Sequence, residues 1–164
     1  ITQTVEGLER YPVNLRFPRE QRDDLEQLRA LPLVTPTGAQ IPLAQIAEGF
    51  SEPIHAVFGN NDGDQFLLAR IAGDHSHVSL HGDFAELILD NRRIAVTHYP
   101  QIGRALAQGG GYDLVCHGHS HERTMEQSGQ TLRVNPGEVM GRFGLSTYAL
   151  YDTTTGQAEL VQIP

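Results

Sequence analysis

The stretch YDLVCHGHSH, Tyr112 to His121, runs an apolar segment straight into three histidines spaced two residues apart. Leu114 to Cys116 read as a short buried strand, and the glycine and serine that follow mark a loop. The same grammar occurs twice more. IHAVF (Ile54 to Phe58) is a short apolar strand that stops at GNNDGD (Gly59 to Asp64), and FAELILDNRRIAVTH (Phe84 to His98) reads as a hairpin turned at Asp90-Asn91 whose second strand delivers His98. Polar loops that begin where strands stop are where open α/β sheets bind ligands, because the carboxyl ends of the strands leave a crevice.

The connecting segments complete an α/β rhythm. DQFLLARIA (Asp64 to Ala72) has the spacing of an amphipathic helix, and QIGRALAQGG (Gln101 to Gly110) that of a helix closed by glycines. TYALYDTTTGQAELVQI (Thr147 to Ile163) predicts a last hairpin around Thr155-Gly156. Before residue 50 the character differs. All eight histidines lie between His55 and His121, whereas five of the nine prolines fall in the first fifty residues. There RYPVNLRFP (Arg10 to Pro18) alternates like an edge strand, RDDLEQLRAL (Arg22 to Leu31) has helical spacing with acids in its first turn, and LVTPTGAQIPL (Leu33 to Leu43) reads as strand, turn, strand.

Composition excludes several classes. The chain has 164 residues, is 39% hydrophobic and 20% charged, and can bury a real core, which argues against disorder. A net charge of −8, with all twelve basic residues scattered arginines, lacks the electrostatic footprint of a nucleic-acid binder. No stretch approaches the ~20 apolar residues of a membrane span, and no basic, apolar leader opens the chain. Its lone cysteine excludes an internal disulfide and suits a reducing compartment. A soluble, cytoplasmic protein is the expectation, although the first residue is Ile rather than Met, as in a processed chain or a fragment.

Imidazoles combined with a carboxamide or carboxylate make a mixed N/O donor set suited to Mn, Fe, Ni or Zn. Alternation in HGHSH points His117, His119 and His121 the same way, and spacing alone leaves a metal site and a solvated loop equally open. His98 by itself is as ordinary, and His55, His75, His77 and His81 are read as surface or core residues.

FGNNDGD, AVTH, YDLVCHGHSHER and LRVNPGE stand in the same order and at similar spacing as in the small calcineurin-like metallophosphoesterases of the YfcE and archaeal phosphodiesterase type, which residues 49–164 resemble. The resemblance implies an α/β fold, an incomplete metallophosphoesterase β-sandwich flanked by helices, preceded here by a small α+β segment. It implies that Asn60, His98 and His119 hold one metal and that His121 serves the other. Asp62 would orient its neighbours, and Asn61 stands where related enzymes often carry a leaving-group histidine. Asn135-Pro136-Gly137 resembles the loop that closes the sheet beneath the site. The cofactor implied is a divalent transition metal (Mn, Ni, Fe or Zn), normally two in the family. Two such cations, roughly 3.5–4 Å apart, clamp the attacking and leaving oxygens of an in-line displacement on a small phosphate ester.

The family also opens with a strand ending in Asp-x-His and a second ending in Gly-Asp, and neither precedes GNND here. Residues 1–48 instead resemble the periplasmic docking and porter region of heavy-metal efflux pumps of the resistance-nodulation-division type, a segment that weakens the cytoplasmic reading. The division expected is therefore residues 1–48 and residues 49–164. The resemblance implies a metal-dependent phosphodiesterase or phosphatase, with one cation held and hydrolysis impaired by missing ligands. The alternative is a non-catalytic scaffold of the same fold, or a hybrid fragment without native activity. A sheet edge left uncovered would invite pairing with another copy of the chain.

Overall fold

A computed structural model of the chain describes residues 51–62, 64–139 and 141–163 with Gly49, and the backbone of residues 2–6, 9–13, 32–34 and 40–42. Those four early stretches form two antiparallel pairs, β1 (Thr2–Glu6) with β2 (Glu9–Val13) and β3 (Pro32–Val34) with β4 (Gln40–Pro42). The two strands read from Leu33 onward are thus present, whereas the turn between them and the helix read over Arg22 to Leu31 lie outside the described residues.

From residue 54 a strand–helix–strand unit begins. β5 (Ile54–Ala56) pairs in parallel with β6 (Val78–Leu80), and α1 (Gln65–Gly73) makes the crossover. Asp64 caps that helix by accepting from the Leu67 amide at 3.1 Å, a bond that satisfies one of the orphan donors of the first turn. β5 leaves its ladder two residues sooner than the apolar run suggests, yet the Phe58 amide still donates to the Gly82 carbonyl at 2.7 Å.

The main sheet has five strands in the order β10 (Thr124–Ser128), β11 (Thr131–Asn135), β9 (Leu114–Cys116), β8 (Arg92–Thr97) and β7 (Phe84–Leu89). β7 (Phe84–Leu89) and β8 (Arg92–Thr97) form the expected hairpin, and both turn residues, Asp90 and Asn91, have positive φ (48° and 64°), the geometry that matches the twist of a two-residue loop. β9 (Leu114–Cys116) runs parallel to β8 on one side and to β11 (Thr131–Asn135) on the other, and β10 (Thr124–Ser128) closes the row against β11. Alternation along these strands builds two cores. One face presents Ile94, Leu114 and Val134 to the hairpin of β12 (Thr147–Asp152) and β13 (Gln157–Gln162), where Ala149, Tyr151, Ala158 and Leu160 cover them. The opposite face presents Ala95 and Val115, both fully buried, to Ala107 and Leu106 of α2 (Pro100–Gly109). The layers are helix, sheet and hairpin, which is the sandwich expected from the resemblance.

Polar residues tie the layers together. Arg92 donates through Nε to the Thr153 carbonyl at 2.8 Å and through Nη1 to Asp113 at 3.0 Å, stitching the tip of the last hairpin to the sheet. Asp113 also accepts from the Arg93 backbone N–H at 2.8 Å. That backbone bond, then the Arg92 side chain, holds the Asp113 carboxyl below its ordinary value of 3.8. A carboxyl depressed on folding contributes stability that is present above its unfolded value and is lost as pH falls through the folded one. The expected result is that Asp113→Asn flattens the acid limb of the stability curve below about pH 4, read by urea unfolding across pH.

β6, β10 and β11 were not legible as strands. β11 buries Thr131, Arg133 and Asn135 on its helix-facing side, so that face is polar, while Leu132 and Val134 face the last hairpin.

Candidate metal centre

Asn60 lies in the loop after β5, His98 directly follows β8, and His119 lies three residues beyond β9, so each expected ligand stands at the carboxyl end of a strand. The ends of β8 and β9 are tied by the Gly118 amide donating to the His98 carbonyl at 3.1 Å. Tyr99 lines the same corner, its ring 5.0 Å from that of His98 and 5.3 Å from that of His119. His119 takes a positive φ of 71°, a region that costs a non-glycine residue of order 1 kcal/mol and is found mainly where the surroundings impose it.

Three lone-pair atoms converge there. His98 Nε2 lies 2.7 Å from Asn60 Oδ1 and 3.1 Å from His119 Nδ1, and His119 Nδ1 lies 3.1 Å from Asn60 Oδ1. A triangle with sides of about 3 Å is what adjacent ligands make around one cation with bonds of about 2.1 Å. One ring proton cannot serve all three edges of such a triangle, whereas a cation at its face satisfies every lone pair at once. Burial, reinforced by His119, lowers the His98 pKa against the opposing pull of Asp62, and so favours the neutral imidazole that ligation requires. The donor chemistry of the trio therefore fits a divalent transition metal. Among the described residues no group of three or more His, Cys, Asp and Glu side chains gathers to hold a metal, so the carboxamide of Asn60 is what makes the set up to three.

The approach at Gly59 is as close as backbone and ring allow. A Cβ built there would stand 2.9 Å from His98 Cε1. Gly59→Ala is thus expected to push the imidazole off the triangle and to lower Mn2+ affinity about 10-fold or more, measured by calorimetry, with far-UV circular dichroism unchanged.

The other expected residues are placed differently. The carboxylate of Asp62 accepts the Gly59 N–H and so closes the loop that carries Asn60. Asn61 is exposed at the tip of that loop. His121 pairs with Glu138, its Nδ1 3.0 Å from Oε2. Alternation within HGHSH does not survive folding. His119 and His121 both have positive φ, which breaks the period of two, and His117 turns under α2, where the Cβ of a residue at Gly103 would meet it at 3.1 Å. His117 accepts through Nε2 from Arg133 Nη1 at 2.7 Å and is 5% exposed, a core histidine rather than a companion of the other two.

Two contributors had no signal in spacing. Asn135 is fully buried, and its amide nitrogen donates to the Gly118 carbonyl at 3.2 Å and to Ser120 Oγ at 3.0 Å while its oxygen accepts from the Gly137 amide at 3.0 Å. It staples the histidine loop to the Asn135–Gly137 turn beneath it. Glu138, next in line, is the second. Away from the site, His55 Nδ1 and His81 Nε2 bond to each other at 2.9 Å, and the rings of His75 and His77 meet edge to face.

The chain belongs to the calcineurin-like phosphoesterase superfamily, whose domain model matches residues 18–156. It is 32% identical over 109 residues to phosphodiesterase MJ0936 of Methanocaldococcus jannaschii, covering 65% of this chain and 66% of that protein. It is likewise 32% identical over 105 residues to phosphodiesterase YfcE of Escherichia coli, covering 58% of this chain and 51% of that one. The chain thus spans between about half and two-thirds of the length of these relatives. The solved structure of an archaeal phosphodiesterase superimposes with a TM-score of 0.67 at 28% identity, over 73% of this chain and 74% of that one. A partial similarity also exists to the cation efflux protein CusA of Escherichia coli, 50% identical over 48 residues, which is 29% of this chain and 5% of CusA. The superfamily match begins at residue 18, inside the part that resembles the pump. Among the described residues no helix is long and apolar enough to cross a membrane.

Proposed function

We propose that the chain is a metal-dependent phosphodiesterase or phosphatase in which Asn60, His98 and His119 hold one divalent cation. The observation that carries this reading is the convergence of three lone-pair atoms within 3.1 Å of one another at the carboxyl ends of β5, β8 and β9. A divalent cation so held would supply an acidified water as nucleophile and would neutralise charge on the phosphoryl oxygens. The protein's part is to hold the donors in place. Asp62 fixes the Asn60 loop, Gly59 gives the His98 ring its room, Tyr99 backs both imidazoles, and Asn135 anchors the turn that aims His119. Asn61, Asp62 and His121 are exposed around the trio, leaving a side open to a small phosphate ester. With a net charge of −8, a substrate anion would depend on the cation for its attraction.

The test is hydrolysis of bis-p-nitrophenyl phosphate with Mn2+ or Ni2+ added to chelator-stripped protein. Hydrolysis that appears with metal and disappears with chelator is expected, and hydrolysis indifferent to both would overturn the reading. A second reading, a scaffold of the same fold without catalysis, is favoured by the lack, among the described residues, of a group of three His, Cys, Asp and Glu side chains placed to hold a metal. No turnover of any aryl phosphate at any Mn2+ concentration would select it.

A further inference from the structure

His121 is held more firmly than a loop residue needs to be. Its Nδ1 lies 3.0 Å from Glu138 Oε2, and the Phe143 ring stands edge to face against it with centroids 5.1 Å apart. Glu138 is itself anchored. Its side chain is only 8% exposed, its Oε1 accepts the Phe143 backbone N–H, and its carbonyl accepts from the Thr147 amide at 2.8 Å. An ionised carboxylate has no hydrogen to give, so in this contact Nδ1 of a neutral His121 must carry the proton, which leaves Nε2 with a free lone pair. The positive φ of 61° at His121 adds backbone strain that the surrounding contacts must hold in place.

We propose that Glu138 is a positioning residue that fixes His121 as the Nδ1–H tautomer and leaves its Nε2 lone pair free to bind a cation. A carboxylate behind a ligating imidazole sets the tautomer, locks the ring and makes the free nitrogen more basic. What Nε2 meets rests on the phosphoesterase reading above, whereas the tautomer does not.

The test is 15N–1H correlation spectroscopy of the histidine rings in the metal-free full chain at pH 8, above the ordinary imidazole range of about 6.5. Wild type is expected to show His121 protonated at Nδ1, and Glu138→Ala to shift it toward Nε2–H. Glu138→Gln keeps an oxygen acceptor and is expected to retain the wild-type tautomer. An Nε2–H tautomer in wild type, or the same spectrum in Glu138→Ala, overturns the proposal. Should Glu138→Ala unsettle its loop, wild type and Glu138→Gln decide the matter between them. In Mn2+-dependent hydrolysis Glu138→Ala and His121→Ala are each expected to lower kcat about 10- to 100-fold, with the double variant no slower than the worse single. Multiplying losses would show that Glu138 does not act through His121. Absence of hydrolysis in wild type would defeat the phosphoesterase reading and leave the tautomer result standing separately.

Discussion

Replacing His119 with alanine is expected to lower Mn2+-dependent hydrolysis of bis-p-nitrophenyl phosphate by about 100-fold or more. The substitution removes one of three donors from the triangle and leaves His98 Nε2 and Asn60 Oδ1 facing each other at 2.7 Å, where a single proton suffices. The cation is then lost or loosely held. Metal stabilisation of charge on a transferring phosphoryl group is worth several kcal/mol, and each 1.36 kcal/mol is a factor of ten, so two powers of ten is the lower bound. The loss should appear in kcat/KM at fixed metal and should be partly recovered by raising Mn2+. His55→Ala is the control, because His55 bonds His81 rather than any of the trio, and its rate should equal wild type. A rate unchanged in His119→Ala would remove the site assignment, whatever the wild-type activity.

The largest stability effect is expected from Leu114→Ala. Leu114 is 4% exposed and packs with Ile94 and Val134 between the main sheet and the last hairpin. Removing a buried leucine side chain costs 2–5 kcal/mol, and this one sits in the middle strand with neighbours on both sides, so about 3 kcal/mol is expected. For a chain of this size that corresponds to a fall in melting temperature of roughly 6–12 °C. The equivalent truncation at exposed Leu150, on the outer side of β12, should change stability by less than about 0.5 kcal/mol. Equal effects at the two positions would mean that the hairpin does not cover the sheet.

How much of this was legible in the residues varies along the chain for physical reasons. The β7–β8 hairpin, α1, α2 and the last hairpin announce themselves because each has its own local signal: a two-residue Asp-Asn turn, an Asp64 cap, a closing Gly110 and a Thr155-Gly156 turn. β11 was missed although TLRVN alternates after a Gly129-Gln130 turn, since the face it buries against the helix is Thr131, Arg133 and Asn135, residues that read as a surface until the partners His117 and Gly118 arrive from the loop after β9. The trio was found through the order of four motifs, not through spacing. Spacing in fact misled, because strand alternation was carried past Cys116 into a loop whose histidines take left-handed backbone angles. Glu138 closes the LRVNPGE motif, but its role could not be read there. Its partner lies seventeen residues away, across the β10–β11 hairpin, and no local pattern links a glutamate to a histidine at that separation.

The central claim is that Asn60, His98 and His119 together hold one divalent cation. Mn2+ binding to chelator-stripped wild type and to His98→Ala, followed by the electron paramagnetic resonance signal of free Mn2+, tests it most directly. The expected result is an equivalent bound by wild type whose affinity falls at least about 10-fold in His98→Ala. Binding of the same stoichiometry and affinity in both proteins would contradict it.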